Sequence, residues 1–320
     1  MKKYLVLFSI FSTPYAMADV TLPDFGFNPE KVSLSLSSGI LSNGESKEFV
    51  VDEGSTVSKL FWKIDNTPIV KADLAWQIFP RLSLNARGWT SVSSSQSLMD
   101  DYDWSDPNQR EVNTDWSHHP DTTLNYANEY DLNINVLLID QPHFKLGTTA
   151  GYQENRFSWI ARGGSFEYSD EDENGDYIAG TARSIHGEFE SGVANIGYQQ
   201  KFSMPYLGLT GQYQYNKFEL NTALKYSPWV KAKDKDNHYM REITFKTQGK
   251  NSDYYGVTAN AGYYLLPSTK LFTEVTWNSF KMAKGDTTLI EEGEVTDKAN
   301  DIGRMANEHY TLSMGVQYRF

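Results

Sequence analysis

The 320-residue sequence contains no cysteine. That excludes a disulfide-stapled scaffold, a thiol nucleophile and a cysteine-ligated zinc. Beyond its first residues it also lacks any long apolar run, and its mean hydropathy is −0.54. A bundle of transmembrane helices is therefore excluded, because each span needs about 20 consecutive apolar residues. Positive charge is scarce: 29 Lys and Arg against 41 Asp and Glu give 29 − 41 = −12. A polyanion is held by a basic face, so no nucleic-acid partner is expected. Aromatic residues are plentiful, with 20 Tyr, 17 Phe and 8 Trp in an otherwise polar chain. Aromatics without general hydrophobicity suit a transmembrane β-barrel, which has aromatic girdles at both membrane interfaces and a polar inside.

The N-terminus carries an export signal. Lys2 and Lys3 form a basic segment, Tyr4 to Phe11 is apolar, and Ala16-Met17-Ala18 is a small-x-small cleavage site. Residues 1–18 are expected to be a bacterial signal peptide, leaving 19–320 as one barrel domain. Losing the two lysines leaves 27 − 41 = −14 for the mature chain.

Period-two alternation dominates that mature chain. Leu124, Tyr126, Asn128, Tyr130, Leu132, Ile134, Val136 and Leu138 alternate with Asn125, Ala127, Glu129, Asp131, Asn133 and Asn135. Phe218, Leu220, Thr222, Leu224 and Tyr226 alternate with Lys217, Glu219, Asn221 and Lys225, and Tyr255, Val257, Ala259, Ala261, Tyr263 and Leu265 form a third such face. The other face bears Glu129, Asp131, Lys225 and Glu274. Charges on one face and aromatics near the strand ends of the other describe a barrel in lipid, against the alternative of a soluble periplasmic β-sandwich. The last strand alternates through Tyr310, Leu312, Met314, Val316 and Tyr318 and stops on Phe320. That ending resembles the signal read by outer-membrane barrel assembly.

The pattern predicts an all-β, ten-stranded antiparallel barrel that projects beyond the outer membrane. Strands are expected near 32–50, 57–78, 81–94, 122–138, 144–168, 192–215, 218–233, 253–266, 270–284 and 307–320. Short periplasmic turns then alternate with five long extracellular loops near 51–56, 95–121, 169–191, 234–252 and 285–306. A ten-strand barrel is largely filled by its own side chains, which weighs against a general porin.

Two of those loops carry dense acid and histidine. One has Asp100, Asp101 and Asp103, then Asp115, His118, His119 and Asp121; another has Asp234, Asp236 and His238. Alternation puts Asp101 beside Asp103 and Asp236 beside His238. Two carboxylates held together share a proton and bind water or a cation. A carboxylate beside a histidine fixes its tautomer and raises its basicity. Facing each other across a cleft, such pairs would activate a water for attack on a carbonyl. By composition alone, solvated surface acids or calcium-binding clusters would explain the same residues.

Particular stretches decide between these readings. Met99-Asp100-Asp101-Tyr102-Asp103-Trp104 with His119-Pro120-Asp121 resembles the second-loop motif of the omptins, the aspartate–histidine endopeptidases of enterobacterial outer membranes. Asp234-Lys235-Asp236-Asn237-His238-Tyr239 is similar to their fourth-loop motif. Asn125 to Asn133, Ala150 to Glu154 and Met204 to Leu209 resemble further family blocks, in order, from about residue 30 to the C-terminus. Asn85 to Ser91 and His238-Tyr239-Met240-Arg241 lean toward the plasminogen-activator branch.

The resemblance implies cleavage of peptides and proteins next to basic, often dibasic, residues. Asp236 and His238 would be the dyad, with Asp101 and Asp103 as the opposing catalytic pair. Glu48 and Asp234 would line the pocket for the residue before the scissile bond, with Asp115 near the following subsite. An acidic pocket of that kind suits Arg or Lys. The resemblance further implies lipopolysaccharide bound on the outer wall at Tyr152, Glu154, Arg156, Lys201 and Lys250, and required for activity. No metal or other cofactor is expected, and a monomer is the default. Asn237 stands where the family usually has Glu, Lys201 where Arg is common, and the third loop is long and acidic (Asp170 to Glu173). His118 has no assigned role, and His143, His186 and His309 read as surface or loop residues. The alternatives are a catalytically silent adhesin or structural barrel, and a lipid-modifying enzyme built on Ser117-His118.

Overall fold

The computed structural model describes residues 31–320. The expected signal segment, residues 1–18, lies outside the described residues. Ten antiparallel wall strands close into a barrel. The first is β1 (Val32–Asp52). The second is split into β2 (Ser55–Ile64) and β3 (Thr67–Phe79) at Asp65-Asn66, where Asn66 takes a φ of 42°. The third is split into β4 (Leu82–Ser91) and β5 (Ser95–Asp103). The rest are β6 (Asp115–Asp140), β7 (Phe144–Arg162), β10 (Ala194–Tyr215), β11 (Phe218–His238), β12 (Ile243–Leu266), β13 (Thr269–Glu291) and β14 (Glu294–Arg319). A small hairpin, β8 (Ser165–Tyr168) and β9 (Ile185–Glu188), sits in the connection after β7 and pairs with β6. β14 pairs with β1, from Ser33↔Arg319 to Val50↔Gly303, so no strand edge is left open.

The outward face is the lipid face. Leu132, Ile134, Val136, Leu138, Leu220, Leu224, Val257, Leu312, Met314 and Val316 are all exposed. Inside the membrane-spanning half, charges pair across the lumen: Lys225 with Asp131, Lys71 and Arg87 with Glu274, and Lys270 with Glu219. Above them an apolar plug fills the barrel. Phe202 stacks on Phe280 at 4.4 Å, and Trp62 stacks on Tyr198 at 5.2 Å beside Trp159, Phe157 and Met99. This plug forms the floor on which the outer site is built.

Three expectations change in detail. The wall strands run much further outward than the alternation indicated. The connection after β11 shrinks to 239–242, that after β13 to 292–293, and that after β5 to 104–114. The alternation marks only the span in lipid. Above it the outer face is polar too, so strand pairing continues without a hydrophobic signature. Leu124 is buried inside rather than on the lipid face, because a bulge between Leu124 and Tyr126 reverses the alternation. His309 is no surface residue. It is fully buried in the lumen, edge-on to Trp89 and Phe157, with Nε2 facing Asn278 at 3.1 Å.

Candidate active site

Rigid strands, not loops, carry the acid and histidine residues. Asp236 and His238 are the last inward positions of β11, and Asp101 and Asp103 are those of β5. Period two puts both members of each pair on the lumen side. His238 Nε2 donates to Asp236 Oδ2 at 2.7 Å, and Asp236 is only 2% exposed. On the other nitrogen, Arg241 Nη2 donates to His238 Nδ1 at 2.6 Å. Arginine only donates, so the network fixes the tautomer: Nε2 carries the proton and Nδ1 the lone pair.

The opposing pair is desolvated. Burial raises the Asp101 carboxyl well above its ordinary value, and repulsion from Asp103 and Asp236 adds to this. Burial pushes Asp103 up to about 6, opposed by a hydrogen bond from Ser58 and by attraction to Arg241 and His238. Both carboxyls are therefore easier to protonate than a free aspartate, Asp101 through burial and the charges of Asp103 and Asp236.

Glu48 and Asp234 come together in the wall behind the dyad. Glu48 is raised by burial and then by the charges of Asp236, Asp234 and Asp101. Burial pushes Asp234 up to about 7, although the Thr247 amide donates to its Oδ1 at 2.9 Å. Glu48 Oε2, Asp101 Oδ1 and Asp236 Oδ1 are buried with no hydrogen-bond partner among the described residues. Buried acceptors without donors are costly and rare, and these three converge on one place.

A cleft of about 630 Å³ is lined by Asp101, Asp103, Asp115, Tyr168, His238 and Arg241 among others, while Glu48, Asp234 and Asp236 are buried and are not part of its lining. Asp115 lines it, but its oxygens are occupied. Oδ1 accepts from the Ser169 amide and hydroxyl, both at 2.8 Å, and Oδ2 accepts from Thr114 Oγ1 at 2.6 Å and Ser105 Oγ at 3.0 Å. Asp170 and Glu171 of the long third connection join the same lining.

Ser117 hydrogen-bonds His119 rather than the adjacent His118. Its Oγ lies 3.0 Å from His119 Nε2, and His119 Nδ1 donates to the Gly163 carbonyl at 2.6 Å. Both residues are buried under the cleft, away from the lipid face that a lipid-modifying enzyme would use. His118 pairs with Asp100 at 2.8 Å. Sequence reasoning assigned no role to Arg241, Tyr168 or Ser58. Arg241 alone had a local signal, three residues after His238 in one short turn.

On the outer wall, Glu154 accepts from Arg156 Nε and from Lys201 Nζ, both at 2.6 Å, and the Arg156 guanidinium lies 5.8 Å from the Tyr130 ring centre. Lys201 and Arg156 are register partners, and Tyr152 is half exposed below them. Lys250 stands apart, two strands away on β12, flanked in register by Lys231 and Lys284.

The profile of the omptin family matches residues 28–320. The chain is 46% identical over 297 residues to the plasminogen activator of Yersinia pestis, covering 92% of this chain and 91% of that one. It is 40% identical over 318 residues to protease 7 of Escherichia coli K12, covering 97% and 98%. The crystal structure of the outer membrane protease OmpT from Escherichia coli superposes with a TM-score of 0.85 at 40% identity, covering 92% of this chain and 98% of that one.

Proposed function

This chain belongs to the omptin family of outer-membrane proteases, and on that premise we propose that it hydrolyses peptide bonds next to basic residues with a water held between Asp236–His238 and Asp101–Asp103. The observation that carries the reading is the hydrogen-bonded dyad facing a desolvated carboxylate pair. His238 Nδ1 takes a proton from the water, and Asp236 stabilises the imidazolium that forms. The hydroxide attacks the carbonyl carbon. A proton held on the raised Asp101–Asp103 side hydrogen-bonds the tetrahedral oxygen, and the imidazolium returns its proton to the leaving amine. No covalent enzyme intermediate is needed.

Glu48 and Asp234 form the pocket for the residue before the scissile bond. A guanidinium or ammonium supplies the donors that the buried Glu48 oxygen lacks. Asp115 acts on the following subsite by its charge, since its oxygens are tied to loop groups. Basic peptides and proteins are the substrate class. Plasminogen is one candidate, because a 46% identical relative is named for activating it; antimicrobial peptides share the same chemistry.

The Tyr152–Glu154–Arg156–Lys201 cluster is proposed to bind the phosphates of lipopolysaccharide, which holds the wall strands in the active geometry. Lys250 adds to the basic wall from a separate position. The protein works as a monomer, since a closed barrel leaves no edge to pair.

His238→Ala is expected to lower kcat/KM on a quenched Arg-Arg peptide by roughly 10²–10⁴-fold while the barrel stays inserted and heat-modifiable on gels. Activity within a few-fold of the unsubstituted protein would remove His238 as the base.

A further inference from the structure

The lone pair that must take the proton from water is covered. Arg241 Nη2 sits 2.6 Å from His238 Nδ1 and donates to it. With Nε2–H committed to Asp236, no other ring position is free to act as base. Among the described residues lining the cleft, Arg241 is the single lysine or arginine. Its charge is also felt by Asp101 and Asp103 across the cleft. The side chain is exposed at the end of a one-turn 3-10 helix, Tyr239–Arg241, and forms no ion pair among the described residues. Swinging it away therefore breaks one hydrogen bond and little packing.

We propose that Arg241 is a specificity-determining residue that acts as a resident substitute for a substrate cation. In the empty cleft its guanidinium caps His238 Nδ1 and offsets the acids of the Asp101–Asp103–Asp115 side. A substrate with Arg or Lys immediately after the scissile bond brings its own cation to that side. The two cations repel, Arg241 leaves, and Nδ1 is uncovered. A substrate with a neutral residue there leaves Arg241 in place and the base blocked. Discrimination thus comes from a built-in competitor as well as from an attractive pocket. The proposal rests on the reading of His238 as the base.

The test is kcat/KM on two matched quenched peptides, cleaved by the full barrel in lipopolysaccharide-containing micelles. Both carry Arg before the bond; one carries Arg and the other Ala after it. Arg241→Gln should narrow the Arg-over-Ala preference by about tenfold, the worth of one charge-assisted hydrogen bond. The change should come through faster cleavage of the Arg-Ala peptide. Arg241→Lys, which keeps a cation, should retain most of the preference. Adding guanidinium ion at low millimolar concentration to the Arg241→Gln variant should again suppress the Arg-Ala peptide. An unchanged ratio, or an equal loss on both peptides, overturns the proposal. His238→Ala separates the two readings. If it is inactive while Arg241→Gln leaves the ratio unchanged, the gate alone falls; if it is active, the base assignment falls and the gate with it.

Discussion

Among the acids, Asp234 makes a testable statement about pH. Burial pushes it up to about 7, and Glu48 beside it is raised as well. Both are therefore substantially protonated in mildly acidic medium. A guanidinium binds the ionised form, so docking it must expel a proton. Affinity is present above the raised pKa and lost as pH falls through about 7. KM for a peptide with Arg before the bond should drop between pH 6 and pH 8, and Asp234→Asn should flatten that dependence. A wild-type KM that does not change across this range would place the basic pocket elsewhere. The linkage to folding has the opposite sense. An acid raised in the folded state stabilises it below the unfolded value near 4, and that contribution is lost as pH rises through 6 to 7.

Among the elements, the hairpin β8–β9 is tied to the wall by its ladder with β6 and by one carboxylate. Asp115 at the start of β6 holds Ser169 by two hydrogen bonds and its own connection by two more. Asp115→Ala leaves those donors unpaired, a cost of about 1–3 kcal/mol for each group that stays buried. The segment 163–193 should then open locally. Amide exchange there should speed up by at least tenfold while β6 and β7 in the membrane stay protected. Exchange rates equal to wild type would mean that the hairpin is held by its aromatic contacts, Phe166 on Tyr168 at 4.6 Å and on Phe189 at 5.0 Å.

In the molecule as a whole, the lumen combines an apolar plug with buried ion pairs. Asp131 is fully buried, bonded to Lys225 and to Tyr206 Oη at 2.8 Å. Lys225→Met strands that carboxylate and is expected to cost about 3–5 kcal/mol. It should appear as a lower midpoint of heat modification. Asp131→Leu combined with Lys225→Met should recover most of the loss, because the pair itself adds little net stability. No recovery in the double variant would show that the pair also sets strand register during closure. The cleft lies above the plug, on the far side from this network, so peptidase activity of the folded fraction should be unchanged.

The fold was legible in the sequence wherever lipid imposed its rule. A membrane-facing wall must be apolar at every second residue, so Leu132 to Leu138, Phe218 to Tyr226 and Tyr310 to Phe320 announce themselves. The same periodicity placed Asp101 with Asp103 and Asp236 with His238, because neighbours on one face of a strand need no long-range information. Beyond the plug, toward the outer rim, both faces are largely polar, and the ends of β11, β12 and β14 carried no apolar alternation to read. Bulges are equally silent locally, and so Leu124 turned inward against its alternation. Only closure of the barrel decided that β5 and β11 face each other. The Arg241 bond to His238 came from the short turn after β11 rather than from closure. Closure buried Glu48 with Asp234, brought Ser169 onto Asp115 and hid His309 in the lumen. Each of these last three depends on distances between residues far apart in the chain, which side-chain spacing along one strand does not contain.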